Sequence, residues 1–435
     1  MSCVKIIMVG GRSGVGKTTL VNSLLKYSPE LYERPKSFTS RKRRMDEGLS
    51  EYHFVTRECM EQMKQNGEFA NFDCVYGNYY AMTISSLVEI GEAGKLAIKE
   101  IHPSNQKKLK EVYPEAISVL IKEAVCGSDN SARRERREED DTFYNAVNEE
   151  WFDITFTYDK NISPRENGYY FNMKLSAFLK YRERFPIFQD IDAINLRGYS
   201  FIAKEFTEAK RITTHNFHTL SLSFFQNVAD SLLKDGDSVL EVGPGQGWLR
   251  KNCHFPSVCY DVLELTKEMT QYLQADEIVV SSVSQTELPS QKYQMALASL
   301  ADPYFYPEAI CEICRVIKPS GYFVFSLPAA EWAKGLRGDK VEMTTFRSQT
   351  GQEVKTYSFV LEFDELRSLL EDCGFNVLRL ETINGEQLAG EFVSPAITNV
   401  TTDVNKLGIV TVGLCEKRNR SEERRVGKEC RSRWS

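Results

Sequence analysis

Lys17 and Thr18 end the run Gly11-Arg-Ser-Gly-Val-Gly-Lys-Thr, which follows directly on the apolar stretch Val4–Val9. Gly11, Gly14 and Gly16 let successive backbone N–H groups converge on phosphate oxygens, aided by the N-terminus of a following helix. Lys17 then neutralises β- and γ-phosphate charge, Thr18 offers a hydroxyl to Mg2+, and Ser13 and Thr19 complete the cradle. The plain alternative is a glycine turn that only reverses the chain; strand, loop and helix in order favour the phosphate. A second glycine turn, Glu241-Val-Gly243-Pro-Gly245-Gln-Gly247, follows Ser238-Val-Leu. It has the form of an adenosyl-cofactor turn.

Each turn needs a strand before it and a helix after it, and the chain supplies both twice. Val4–Val9, Lys95–Ile101, Glu115–Ile121 and Trp151–Thr157 read as strands, with helices over Thr18–Lys26, 54–66 and 104–112 between them. Such alternation predicts a parallel sheet covered on both faces. Residues 160–230 form a connector with helical spacing over Asn172–Phe185 and Phe217–Leu233. Alternation restarts with strands at Ser238–Val242, Ser257–Leu263, Glu277–Val283, Gln294–Ser299 and Tyr322–Leu327. A hairpin over Met343–Phe363, a helix at Asp364–Cys373 and two last strands follow. The expected fold class is α/β, in two domains of different type, with no internal repeat.

At 435 residues there is room for two ordinary domains, and 42% hydrophobic with 27% charged residues is a globular composition. Residues 420–435 resemble translated sequencing-adapter sequence. They carry six Lys/Arg against three Glu, so the overall charge of −6 leaves −9 on the rest. That acidic balance argues against broad nucleic-acid binding. No apolar run approaches the ~20 residues that span a bilayer, and the N-terminus runs straight into a strand without a signal-peptide pattern. Cysteines scattered in apolar surroundings fit reduced core thiols, Cys311 and Cys314 among them. The expectation is a cytoplasmic protein.

The first turn is a P-loop, and its context is specific. Gly11–Thr18, then Ser37-Phe-Thr-Ser-Arg41-Lys-Arg-Arg44, Tyr52-His-Phe-Val, Asn66-Gly-Glu-Phe69 and Gly77-Asn-Tyr-Tyr80 together resemble the guanylate kinase family over about the first 120 residues. The resemblance implies that Ser37, Arg41, Arg44, Tyr52 and Tyr80 hold the phosphate of a monophosphate acceptor. Two arginines in one loop make a fork for a dianionic phosphate, and the tyrosine hydroxyls finish its coordination; a solvated basic turn is the alternative. Where the family has two guanine-reading carboxylates this chain has Asn71 and His102, and Met82 replaces a small hydroxyl residue. The phosphate grip is therefore expected to survive without the guanine reader. Glu100 stands near another family acid and would organise Mg2+. Arg133, Arg134, Arg136 and Arg137 either supply lid charge, Arg137 catalytically, or belong to a solvated charged helix.

The second turn resembles the first motif of class I S-adenosylmethionine-dependent methyltransferases. Glu264 closes the second strand, where the family places an acid for the ribose hydroxyls, with Asp261 as the alternative. Glu287-Leu-Pro289, Tyr293–Ser299 and Ile313-Cys-Arg-Val-Ile-Lys-Pro-Ser-Gly321 extend the likeness over about residues 236–330. The resemblance places Ser284 beside the adenine amino group, where the family often has Asp. Asp302-Pro-Tyr304 is similar to, but not the same as, an amino-group methyltransferase signature. His215 and His218 are either a general base or ordinary helix histidines.

The expected organisation is a guanylate kinase-like domain over 1–160, a helical connector over 161–235 and a methyltransferase domain over 236–419. The cofactors implied are ATP with Mg2+ and S-adenosylmethionine. The substrates are two small molecules, a phosphorylated acceptor and a methyl acceptor. Either both halves are enzymes, or the first is a non-catalytic nucleotide- or protein-binding module.

Overall fold

The computed structural model describes residues 6–12, 14–43, 52–75, 77–123, 151–208, 212–337, 342–348, 350–385 and 409–418. Ser13, Arg44, Arg133, Arg134, Arg136, Arg137 and the 420–435 tail lie outside them. The chain divides into two compact units at Asn172/Met173, within the helix Pro164–Tyr181.

The first unit carries β1 (Ile6–Gly11), β2 (Tyr32–Glu33), β3 (Ser37–Thr39), β4 (His53–Phe54), β5 (Phe69–Val75), β6 (Asn78–Thr83), β7 (Leu96–Glu100), β8 (Ile117–Glu123) and β9 (Ile154–Tyr158). A five-stranded parallel sheet runs β2-β7-β1-β8-β9. β1 takes the centre because its unbroken apolar run is buried on both faces, as a parallel sheet requires. The sequence pattern misses a second sheet, β4-β3-β6-β5, which is mostly antiparallel. Its formation also corrects a helix boundary. His53 and Phe54 pair with β3, so the helix starts only at Arg57, where Thr56 caps it by accepting the Cys59 N–H at 3.2 Å.

The second unit carries β10 (Ser238–Val242), β11 (Cys259–Glu264), β12 (Glu277–Val280), β13 (Tyr293–Ser299), β14 (Ile317–Pro328), β15 (Met343–Arg347), β16 (Glu353–Tyr357), β17 (Phe375–Asn384) and β18 (Ile409–Lys417). Seven strands form one sheet in the order β12-β11-β10-β13-β14-β18-β17. β18 runs antiparallel to both neighbours, and the other pairings are parallel. This is an open, doubly wound α/β sheet. Order reverses at β10, so the glycine turn sits at the switch point, where open α/β sheets bind ligands. The helix Phe188–Glu208, read in sequence only as connector, packs on β16 and on the turn after β11. The helix Pro307–Val316 is buried along its whole length.

Candidate functional site

Gly11, Gly14 and Gly16 hold φ of 147°, 82° and 107°. A Cβ on Gly11 would come within 2.6 Å of the Ile121 carbonyl, so only glycine makes this turn. The helix Lys17–Tyr27 starts with no side-chain cap, which leaves its first N–H groups for an anion. Lys17 Nζ donates to the Gly11 and Arg12 carbonyls, both at 2.6 Å, and so stays folded over the loop. Thr18 and Thr19 are exposed beside it. Glu100 accepts from Arg34 at 3.2 Å through one oxygen, while its other oxygen is buried with no hydrogen-bond partner. An orphaned carboxylate oxygen suits a hard cation. These residues fit a Mg2+-nucleotide.

Six residues singled out in the sequence, Ser37, Tyr52, Asn71, Tyr80, Glu100 and His102, line a single pocket in this unit. Arg41 stacks its guanidinium over Tyr52 and Phe54, at 5.4 and 5.3 Å from the ring centres. The Tyr52 hydroxyl is pushed above its usual range by burial, then by Glu100 and Tyr80, with Arg34 and Arg41 opposing. It therefore remains a donor, as a phosphate ligand must. Two of the six have structural duties as well. His102 caps the helix Pro103–Val112, its Nδ1 accepting the Ser104 N–H at 3.4 Å. Asn71 accepts the Met82 N–H at 2.9 Å.

The sequence reading missed two charged residues of the pocket. Asp73 puts a carboxylate back into a pocket expected to have lost its carboxylates. The signal was there: Asp73 is two residues beyond Asn71, so a strand carries both on one face. Lys99 is 3% exposed and sets its ammonium 3.8 Å from the centre of the Tyr52 ring. It was hidden because an isolated lysine in an apolar strand looks like an edge residue.

In the second unit Gly243, Gly245 and Gly247 all adopt left-handed φ, from 54° to 67°. Glu264, at the end of β11, accepts backbone N–H groups of Thr266, Leu265 and Gly245. Glu264 and the glycine turn are therefore in direct contact, an arrangement that fits an adenosyl cofactor. Asp261 is not an alternative, because it is buried and held by Lys292 at 2.8 Å and Tyr293 at 3.0 Å. Glu241 lies beneath the turn and accepts the Tyr260 hydroxyl at 2.7 Å, which makes it a support of the loop. Ser284 is 1% exposed and donates to Asp192 at 3.0 Å. Asp192 also accepts from Ser282 and Tyr306, so the acid at this edge arrives from the helix Phe188–Glu208.

His218 stacks on Trp248 at 4.5 Å, bonds Ser299 Oγ at 3.0 Å, and burial pushes it down to about 3. An imidazole held neutral to that degree is a weak base. Tyr304 is buried, and a Cβ on Gly243 would meet its ring at 2.6 Å. Cys311, Cys314 and Cys373 are buried and outside any disulfide, and no group of metal ligands occurs among the described residues. No helix among them is long and apolar enough to cross a membrane.

Burial pushes Glu241 up to about 8 and Glu264 and Glu308 up to about 7. Between the ordinary glutamate value of about 4.3 and these values, the folded state binds more protons than the unfolded one. Stability of the second unit is therefore expected to fall as pH rises through about 7 to 8. Glu241→Gln should flatten the dependence of melting temperature on pH between about 5 and 8. An unchanged slope would remove Glu241 from this account.

Residues 3–159 match the guanylate kinase family model. The guanylate kinase of Trichormus variabilis is 34% identical over 117 residues, which is 27% of this chain and 59% of that protein. The chain thus spans about three fifths of the length of such relatives. Among solved structures, the guanylate kinase of Anaplasma phagocytophilum has a TM-score of 0.32 at 21% identity, covering 43% of this chain and 90% of that one. A SAM-dependent methyltransferase of Methanosarcina mazei has a TM-score of 0.32 at 16% identity, covering 44% of this chain and 97% of that one. Residues 3–159 are thus similar to guanylate kinases, and the unit beyond them is an open sheet whose strand order reverses at β10.

Proposed function

We propose that the chain is a bifunctional transferase. Its first unit phosphorylates a phosphorylated, nucleotide-like or sugar-phosphate acceptor with ATP, and its second methylates a small molecule with S-adenosylmethionine. One observation carries the first half: residues 37 to 102, far apart in sequence, converge on one pocket as the kinase reading requires. ATP and Mg2+ supply the phosphoryl group and its charge neutralisation. Lys17 and the loop N–H groups would hold the donor phosphates, with Thr18 and Glu100 toward the metal. Ser37, Arg41, Arg44, Tyr52 and Tyr80 would hold the acceptor phosphate, and Arg137 would add charge between the two. Lys99 contributes a buried cation to the same end.

S-adenosylmethionine supplies an electrophilic methyl group. Glu264 would hold its ribose, and the turn Gly243–Gly247 would admit its backbone-close atoms. Calorimetry should show binding of S-adenosylmethionine that Gly243→Arg abolishes, since any side chain there meets Tyr304. Glu264→Gln, which keeps the shape, should weaken binding about tenfold or more. Full affinity in both variants would contradict the cofactor site.

A second reading keeps only methyl transfer, with the first unit as a nucleotide- or protein-binding module. The double duties of Asn71 and His102 favour it; the intact Lys17 and Thr18 oppose it. ATP consumption across monophosphates and sugar phosphates separates the two.

A further inference from the structure

The acceptor pocket contains a carboxylate that no motif announces, and its neighbours give it one polarity. Asp73 and Asn71 leave the same face of β5 and both reach the pocket. The backbone settles how Asn71 is turned, because its Oδ1 accepts the Met82 N–H at 2.9 Å. Its NH2 group must face the other way, where it donates to Asp73 Oδ2 at 2.7 Å. Among the described residues Asn71 is the one hydrogen-bond donor to Asp73, and Lys108 is the cation whose field reaches it. The other carboxylate oxygen of Asp73 is left as an acceptor on the pocket wall. Ala81, Met82 and Ile101 add apolar surface to a lining that is otherwise mostly polar.

We propose that Asp73 is the specificity-determining residue of this pocket. It reads N–H donors on a flat ring, so the acceptor is a nucleoside monophosphate with an N–H-bearing base edge, not a sugar phosphate. The proposal rests on the kinase reading of the first unit. An ionised carboxylate only accepts, so adjacent N–H groups pair with it in charge-assisted bonds, while a ring-nitrogen lone pair is repelled. A planar base can lay its faces on Ala81, Met82 and Ile101 and offer its polar edge to Asp73. A sugar offers separate hydroxyls rather than adjacent N–H groups on a flat edge, and so makes a poorer partner for the Asp73 carboxylate. Asn71 occupies the family's carboxylate position but serves as the bracket, and the reader has moved two residues along the strand.

The test is calorimetric titration of the full chain and its Asp73→Asn variant with GMP, AMP and ribose 5-phosphate. The wild-type chain should bind GMP at least about tenfold tighter than either of the others. In Asp73→Asn, the NH2 of Asn71 still takes the new carbonyl oxygen, so an NH2 group turns toward the ligand and the polarity reverses. GMP affinity should then fall about tenfold or more while ribose 5-phosphate changes less than about twofold. Equal weakening of all three ligands would show a purely structural role and overturn the proposal. So would unchanged GMP affinity, or wild-type affinity for ribose 5-phosphate matching that for GMP; these results leave the kinase reading standing. A wild-type chain that binds ATP but none of the three overturns the acceptor pocket and the kinase reading together.

Discussion

Lys17→Met is expected to lower ATP-dependent phosphoryl transfer by about two to three orders of magnitude, leaving S-adenosylmethionine binding intact. Lys17 is the one described cation that the loop itself holds over the cradle, through the Gly11 and Arg12 carbonyls. The bond to Arg12 is made at the surface, where water can replace it, and the bond to Gly11 is part-buried. Their loss costs on the order of 1 kcal/mol, so a large fall in turnover with a small fall in melting temperature assigns Lys17 to chemistry and not to folding. Methionine keeps the length of the stem and removes the charge. The assay follows ADP release across nucleoside monophosphates and sugar phosphates. Turnover that survives the substitution, or a wild-type chain that turns over no acceptor, would sink the catalytic reading of the first unit and leave the binding-module reading.

Glu312→Ala should produce the largest loss of stability. Glu312 lies in the helix Pro307–Val316 with its side chain 2% exposed, between Lys174 Nζ at 3.0 Å and Arg315 Nε at 2.8 Å, themselves 2% and 1% exposed. Removing the carboxylate strands two buried cations, and breaking buried pairs of this kind costs about 3–5 kcal/mol. For a unit of this size that lowers the melting temperature by roughly 6–20 °C. The same cations also hold the loop that follows β12. Lys174 donates to the Ser284 carbonyl at 2.9 Å, and Arg315 to those of Leu288 and Thr286 at 2.8 and 3.1 Å. Cofactor affinity should therefore weaken along with stability. The transition to follow is the one that S-adenosylmethionine raises; a shift of under about 2 °C would mean that water or rearrangement replaces the carboxylate.

The glycine turns and their flanking strands were legible because their meaning is local. A left-handed backbone after an apolar run needs glycine wherever it occurs, and the structure has positive φ at each glycine of both motifs that it describes. The central strands were legible for a related reason, since burial on both faces demands unbroken apolar runs such as Ile6–Val9 and Met295–Ala298. The antiparallel sheet that carries Asn71 and Tyr80 was not. Its strands mix polar and aromatic residues because one face lines a pocket, which breaks the alternation that announces a strand.

What the sequence by itself determined is the pair of glycine turns: a P-loop pattern with its lysine, and a second turn with an acid at the end of the next strand. Backbone conformation and residue type suffice for both. What only the tertiary structure decided is which acids and cations stand at the two candidate sites. Asp261 and Asp192 cannot be ranked by spacing, yet the fold ties one to Lys292 and Tyr293 and brings the other to Ser284. Asn71 and Asp73 likewise exchange roles through a single backbone N–H, that of Met82, eleven residues further along the chain. A hydrogen bond across strands depends on register, and register is a property of the packed sheet rather than of either strand alone.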